Sequence, residues 1–168
     1  MEPRNRRKGM PLLMHKNWFT AVMLIGVLSI ALLYGQACAE SCDEVAKKLN
    51  SRLQHQLNER ELSDILTTLN ETNNRELPAR FVTKKQAKNA GWSPGRDLWE
   101  IPSLKGKSIG GDAFGNFEQR LPKGKWREAD LDYRGGKRGA KRIVFSSDGR
   151  RMVTVDHYQT FVEVPACR

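Results

Sequence analysis

Three cysteines and three histidines in 168 residues leave little material for metal chemistry. No Cys-x-x-Cys or His-x-x-x-His pair occurs, so no zinc site and no metal or other cofactor is expected. No internal repeat or low-complexity tract appears, and the length allows one domain with appendages. Acidic residues are few: 19 Asp and Glu stand against 29 Lys and Arg, giving a formal charge of +10. Such a balance favours a polyanionic partner, nucleic acid or anionic membrane, over an acidic-surface role. The plainer alternative is a cationic surface that serves solubility. Hydrophobic residues make up only 39% and are unevenly spread, so the core outside one N-terminal run is modest.

That run, Trp18 to Tyr34, follows the basic side chains Arg4, Arg6, Arg7, Lys8 and Lys16 and precedes Ala37-Cys38-Ala39. A basic start, an apolar centre and a small-x-small site together predict a secretory signal peptide over residues 1–39. Glu40 then begins a mature chain that is extracellular or periplasmic, with no stable membrane association. An uncleaved anchor is the alternative, because the run approaches the length of a membrane span. Lipidation at Cys38 is disfavoured, since Gly35-Gln36-Ala37 lacks the usual apolar residue three before the cysteine; Met10 or Met14 are alternative starts. Residues 1–39 hold five basic side chains and one acidic, so their removal lowers the charge from +10 to +6 and leaves the chain basic. It also leaves two cysteines, Cys42 and Cys167, near opposite ends. Export predicts one disulfide between them, two free thiols being the alternative.

Ser41-Cys42-Asp43-Glu44 reads as a capping box, and Val45, Leu49, Leu53 and Leu57 follow at spacings of four. Leu62, Ile65, Leu66 and Leu69 repeat the pattern, which predicts two helices or one kinked helix before Leu77-Pro78. Thr83-Lys84-Lys85-Gln86 is a second box, whose helix should end at Ala90-Gly91. Lys84 falls in its first turn, where a cation opposes the helix dipole; a phosphate contact or an ordinary surface lysine both fit. A short helix is expected within Asp97 to Ile101. Strands are expected over Lys125–Asp132, Lys141–Ser146, Arg151–Val155 and Gln159–Val164, with a turn at Ser147-Asp148-Gly149. Helices first and strands last predict an α+β fold, with N-terminal helices packed on a C-terminal antiparallel sheet.

Glu128 and Asp130 stand two apart on a strand and therefore share a face. Arg138 and Arg142 follow in the next element, so Asp130 can orient the arginines while Glu128 stays ionised and available as a base. His157 lies between the last two strands, a position suited to a proton donor. Taken singly, Glu128 fits a cross-strand ion pair, and both His157 and His55 fit ordinary surface histidines.

Taken in order, the segments are more specific. From Leu77 to Val164 the chain resembles the barnase-like, guanyl-preferring microbial ribonucleases. The resemblance rests on Leu77-Pro78, Thr83-Lys84, Gly91-Trp92, Lys107-Ser108-Ile109-Gly110-Gly111-Asp112, Trp126-Arg127-Glu128-Ala129-Asp130, Arg142-Ile143, Ser146-Ser147-Asp148 and Asp156-His157-Tyr158-Gln159-Thr160-Phe161. The helix from Leu62 to Leu69 matches the family's first, so residues 40–61 read as an N-terminal extension and 62–168 as the ribonuclease domain. The resemblance implies a monomeric endoribonuclease that cuts single-stranded RNA after guanosine through a 2′,3′-cyclic phosphate. Glu128 would be base and His157 acid, with Lys84, Arg138 and Arg142 stabilising phosphoryl charge. Phe114, Gly115, Asn116, Phe117 and Glu118 would bind guanine, chiefly through backbone groups and the Glu118 carboxylate, with Tyr158 adding aromatic contact. A small acidic inhibitor of the barstar type is implied as a partner. Phe117 stands where the family usually has arginine, and Gly115 where it usually has serine. Two other readings stay open: a non-catalytic RNA- or nucleotide-binding protein on the same fold, and a membrane-anchored interaction protein.

Overall fold

The computed structural model describes residues 40–168; the predicted signal segment lies outside the described residues. Helix α1 (Cys42–Asn50) starts from the Ser41/Glu44 capping box, each side chain bonding the other's backbone N–H. Its buried face is Cys42, Val45, Ala46 and Leu49. The spacing of four predicts a helix through Leu57, but α1 stops at Asn50. The Asn50 side chain turns back the chain by accepting from Leu57 N–H and donating to Leu57 C=O, both at 2.8 Å. Leu57 is thus buried from a loop and not from a helix.

Helix α2 (Glu59–Glu71) is capped by Asn58, whose side chain accepts from Glu61 N–H, and it buries Leu62, Ile65, Leu66 and Leu69. The boundary expected at residues 61/62 falls inside this helix, and α1 and α2 share one core. Helix α3 (Lys84–Asn89) carries the Thr83/Gln86 capping box and runs out at Gly91, whose φ of +101° is open to glycine. Two short 3-10 turns follow, Leu98–Glu100 and Pro102–Leu104.

The strands are β1 (Phe81–Val82), β2 (Ser108–Phe114), β3 (Trp126–Asp130), β4 (Arg142–Ser146), β5 (Arg151–Thr154) and β6 (Val162–Glu163). They form one six-stranded sheet in sequence order. All neighbours are antiparallel except β1 and β2, a short parallel pair that sequence patterning does not reveal. The fold is α+β, as the order of elements predicts.

Alternation along the strands separates two faces. Ala129, Ile143, Phe145 and Val153 point to the helices and join Val45, Leu49, Ile65 and Leu69 in the main core. Trp126 and Val144 point the other way, into a smaller cluster with Leu121, Phe114, Tyr158 and Phe161. Glu128 pairs with Val144 and Asp130 with Arg142 on this second face, which fixes where the polar groups gather. The disulfide forms as the cysteine count predicts: Cys42 and Cys167 are bonded, with Cα atoms 4.9 Å apart. Among the described residues no helix is long and apolar enough to cross a membrane.

Candidate active site

The polar groups of β3 are buried, with Glu128 only 7% and Asp130 2% exposed. A buried carboxylate needs partners, and each has them. Lys84 Nζ donates to Glu128 Oε1 at 2.8 Å, and the Tyr158 hydroxyl donates to Oε2 at 2.6 Å. Burial is the largest single influence on Glu128 and acts to raise its pKa. The bonds from Lys84 and Tyr158, with the charges of Lys84 and Arg142, together outweigh it and hold the carboxyl below its ordinary value. Glu128 is therefore an ionised acceptor at neutral pH. Tyr158 is its complement: burial first, then the bond to Glu128, push the phenol up to about 12, so it remains a donor.

Lys84 reaches Glu128 because of two local features. The capping box starts α3 there, and a register irregularity between Gly110 and Asp112 bends β2 beside it. Gly111, at φ +93°, makes that bulge possible, and the Asp112 carboxylate accepts from Lys84 N–H at 2.8 Å. Asp112 was not legible as a site residue; the Gly-Gly before it was the available signal.

Asp130 accepts two parallel bonds from Arg138, Nε to Oδ2 at 2.6 Å and Nη2 to Oδ1 at 2.7 Å. Arg142 forms an ion pair with the same carboxylate, Nε to Oδ1 at 2.8 Å, without the alignment of a hydrogen bond. Its Nη1 donates instead to the carbonyls of Gly139 and Lys141. The bond to Asp130, the largest effect, raises the pKa of Arg138. One carboxylate thus carries two guanidinium groups next to Glu128, a net positive field of fixed orientation.

A cavity of about 370 Å³ opens over this face. Lys84, Glu128, Tyr158 and residues 114–118 all line it. Arg138, Arg142 and His157 are not among its lining residues. His157 is exposed, its ring 5.2 Å from that of Tyr158. His157 and Tyr158 have φ of +58° and +70°, a left-handed pair rare outside glycine and held here by neighbours. Asp156 supplies that hold by accepting from Thr154 Oγ1, Thr160 N–H and Thr160 Oγ1 at 2.6–3.0 Å. Burial opposes ionisation of Asp156, but these bonds bring its pKa down to about 2.

The stretch after Phe114 is a closed loop. Asn116 donates to Leu121 C=O at 2.7 Å and accepts from Leu121 N–H at 3.0 Å, so its side chain stands in for a strand partner. Phe114 stacks on Tyr158, with ring centroids 5.2 Å apart. Arg120 also lines the cavity, and sequence reasoning gave it no assigned role. Its Nε donates to Glu118 Oε2 at 2.5 Å, and its Nη1 donates to Gln159 C=O at 2.5 Å. It therefore ties the 114–118 loop to the loop of His157. Phe117 is 94% exposed at the rim. Among the described residues no group of three or more His, Cys, Asp or Glu is placed to hold a metal ion.

A buried, ionised carboxylate beside Lys84, Arg138 and Arg142, next to an open cleft, can accept a proton and attract a phosphate-bearing substrate. Comparison with known proteins narrows the possibilities. A family model described as ribonuclease matches residues 66–165. The ribonuclease of Heyndrickxia coagulans is 46% identical over 94 residues, covering 54% of this chain and 84% of that protein. The ribonucleases of Bacillus intermedius and Bacillus pumilus are each 46% identical over 94 residues, and there the match spans only 57% of their length. The chain belongs to the barnase-like microbial ribonuclease family.

Proposed function

We propose that the protein is an exported endoribonuclease that cleaves single-stranded RNA on the 3′ side of guanosine by transesterification. The observation that carries this reading is the Glu128 carboxylate, ionised and held between Lys84 and Tyr158 on the cavity wall. Glu128 takes the proton of the ribose 2′-OH, and the 2′-oxygen bonds to the adjacent phosphorus. The bond from phosphorus to the 5′-oxygen breaks, and His157 protonates that oxygen as it leaves. The product is a 2′,3′-cyclic phosphate. In the second step His157 takes a proton from water, hydroxide adds to phosphorus, the bond from phosphorus to the 2′-oxygen breaks, and Glu128 returns a proton to that oxygen. Each such acid or base contributes roughly 10²–10⁴-fold. Lys84, Arg138 and Arg142 stabilise charge on the phosphoryl oxygens, and Asp130 keeps both arginines oriented.

In this reading guanine is held along residues 114–118, with Glu118 accepting from the ring N–H and the exocyclic amine. Arg120 engages one Glu118 oxygen, and both residues line the cavity. Export follows from the N-terminal pattern and agrees with the Cys42–Cys167 bond.

The test uses residues 40–168, oxidised, with GpA and CpA in EDTA and products identified by mass. Guanosine 2′,3′-cyclic phosphate from GpA alone is expected. Glu128→Gln and His157→Ala should each reduce cleavage by at least about 10²-fold while RNA binding persists. Unchanged cleavage in either variant refutes the assigned roles, and equal cleavage of both dinucleotides refutes the base preference.

A further inference from the structure

Phe117 is the one large hydrophobic side chain left exposed among the described residues, and it stands on the rim of the substrate cleft. Solvated apolar surface of this size is unfavourable, and a single ring is far smaller than the apolar patch of a protein-docking surface. The ring lies over Gly115. A Cβ built on Gly115 would fall within 3 Å of three of its carbons, so a side chain at 115 would displace the ring from this position. The loop that carries it is closed by the Asn116–Leu121 bonds and by Arg120. Inside the cleft, Phe114, Tyr158 and Phe161 already supply an aromatic wall of their own.

We infer that Phe117, seated on Gly115, is a stacking platform for a second nucleobase, the one adjoining the base held in the cleft. The inference rests on the proposed reading that the cleft binds an RNA strand. A π-face recognises every base, so the platform adds affinity without sequence preference. An uncharged ring also adds affinity that salt does not screen, unlike the lysine and arginine contacts in the cleft. Gly115 and Phe117 then act as a unit: a side chain at 115 evicts the ring without altering the backbone groups of the loop.

The experiment measures Kd for a tetranucleotide with a single 2′-deoxyguanosine, which cannot be cleaved there, and for the same strand with abasic sugars flanking it. For the wild type, loss of the flanking bases should weaken binding about tenfold, the scale of one stacked base. Phe117→Ala should bind the full strand about tenfold more weakly and the abasic strand like the wild type. Gly115→Ser should reproduce that loss, the double variant should be no worse than either single variant, and Phe117→Trp should retain affinity. A Phe117→Ala variant that binds the full strand like wild type overturns the platform and leaves the ring to a protein contact. Equal loss on both strands overturns it too, since the effect is then not stacking on a flanking base. Cleavage of the all-ribose strand is followed in parallel. Its absence refutes the ribonuclease mechanism, whereas the Kd pattern alone decides the platform.

Discussion

Breaking the Cys42–Cys167 bond should cost more than any single core contact, because the bond closes nearly the whole described chain. The two cysteines are 125 residues apart. On the chain-entropy account, cross-linking a loop of that length removes about 16 cal/mol/K from the unfolded ensemble, or about 5 kcal/mol at 25 °C. The perturbation is the double substitution Cys42→Ala and Cys167→Ala, which avoids two buried thiols. The assay is urea unfolding of residues 40–168 at pH 7, followed by fluorescence of Trp92, Trp99 and Trp126. With a slope of about 2 kcal/mol per M, the midpoint should fall by about 2–3 M. Activity at low urea should persist, because the bond belongs to the helix-side core and the cleft lies on the other sheet face. A loss below about 1 kcal/mol refutes the reasoning. It would mean that the docking of α1, through buried Val45, Ala46 and Leu49, keeps the chain ends together without help.

The remaining predictions concern the site. Tyr158→Phe removes a donor that lowers the Glu128 pKa, so the acid limb of the kcat/KM profile should move to higher pH. Lys84→Ala should move it further, since Lys84 gives the strongest lowering influence. An acid limb unmoved in both variants removes Glu128 from the base role. The sign for stability is the same: Glu128, depressed when folded, stabilises above its unfolded pKa, and that contribution is lost as acidification passes its folded one. Asp130→Ala leaves Arg138 and the buried Arg142 without their carboxylate and should lower stability by about 3–5 kcal/mol in urea. A loss under about 1 kcal/mol would show that the arginines find other partners.

Much of this protein is written in short-range chemistry. Ser41 and Thr83 announce helix starts because a cap needs only its own side chain and the residue three ahead. Glu128 and Asp130 share a face because strand alternation is local, and the cysteine pairing follows from there being two in the described chain. What a side chain meets across the fold is decided elsewhere. The α1 helix ends at Asn50 because that amide closes on Leu57, an event that periodicity does not encode. Tyr158 reads from sequence as an aromatic surface for a base, whereas the structure aims its hydroxyl at Glu128, 30 residues earlier. Asp112 is turned toward Lys84 by a bulge, and Arg120 bridges Glu118 to Gln159, 39 residues on. Phe117 and Gly115 read as two separate departures until the ring is found lying where a Cβ would be. Composition and spacing determined the elements, the cross-link and the kinds of group available for catalysis. Register, loop closure and burial, which depend on residues far apart in the chain, decided which of those groups touch and which one is held ionised.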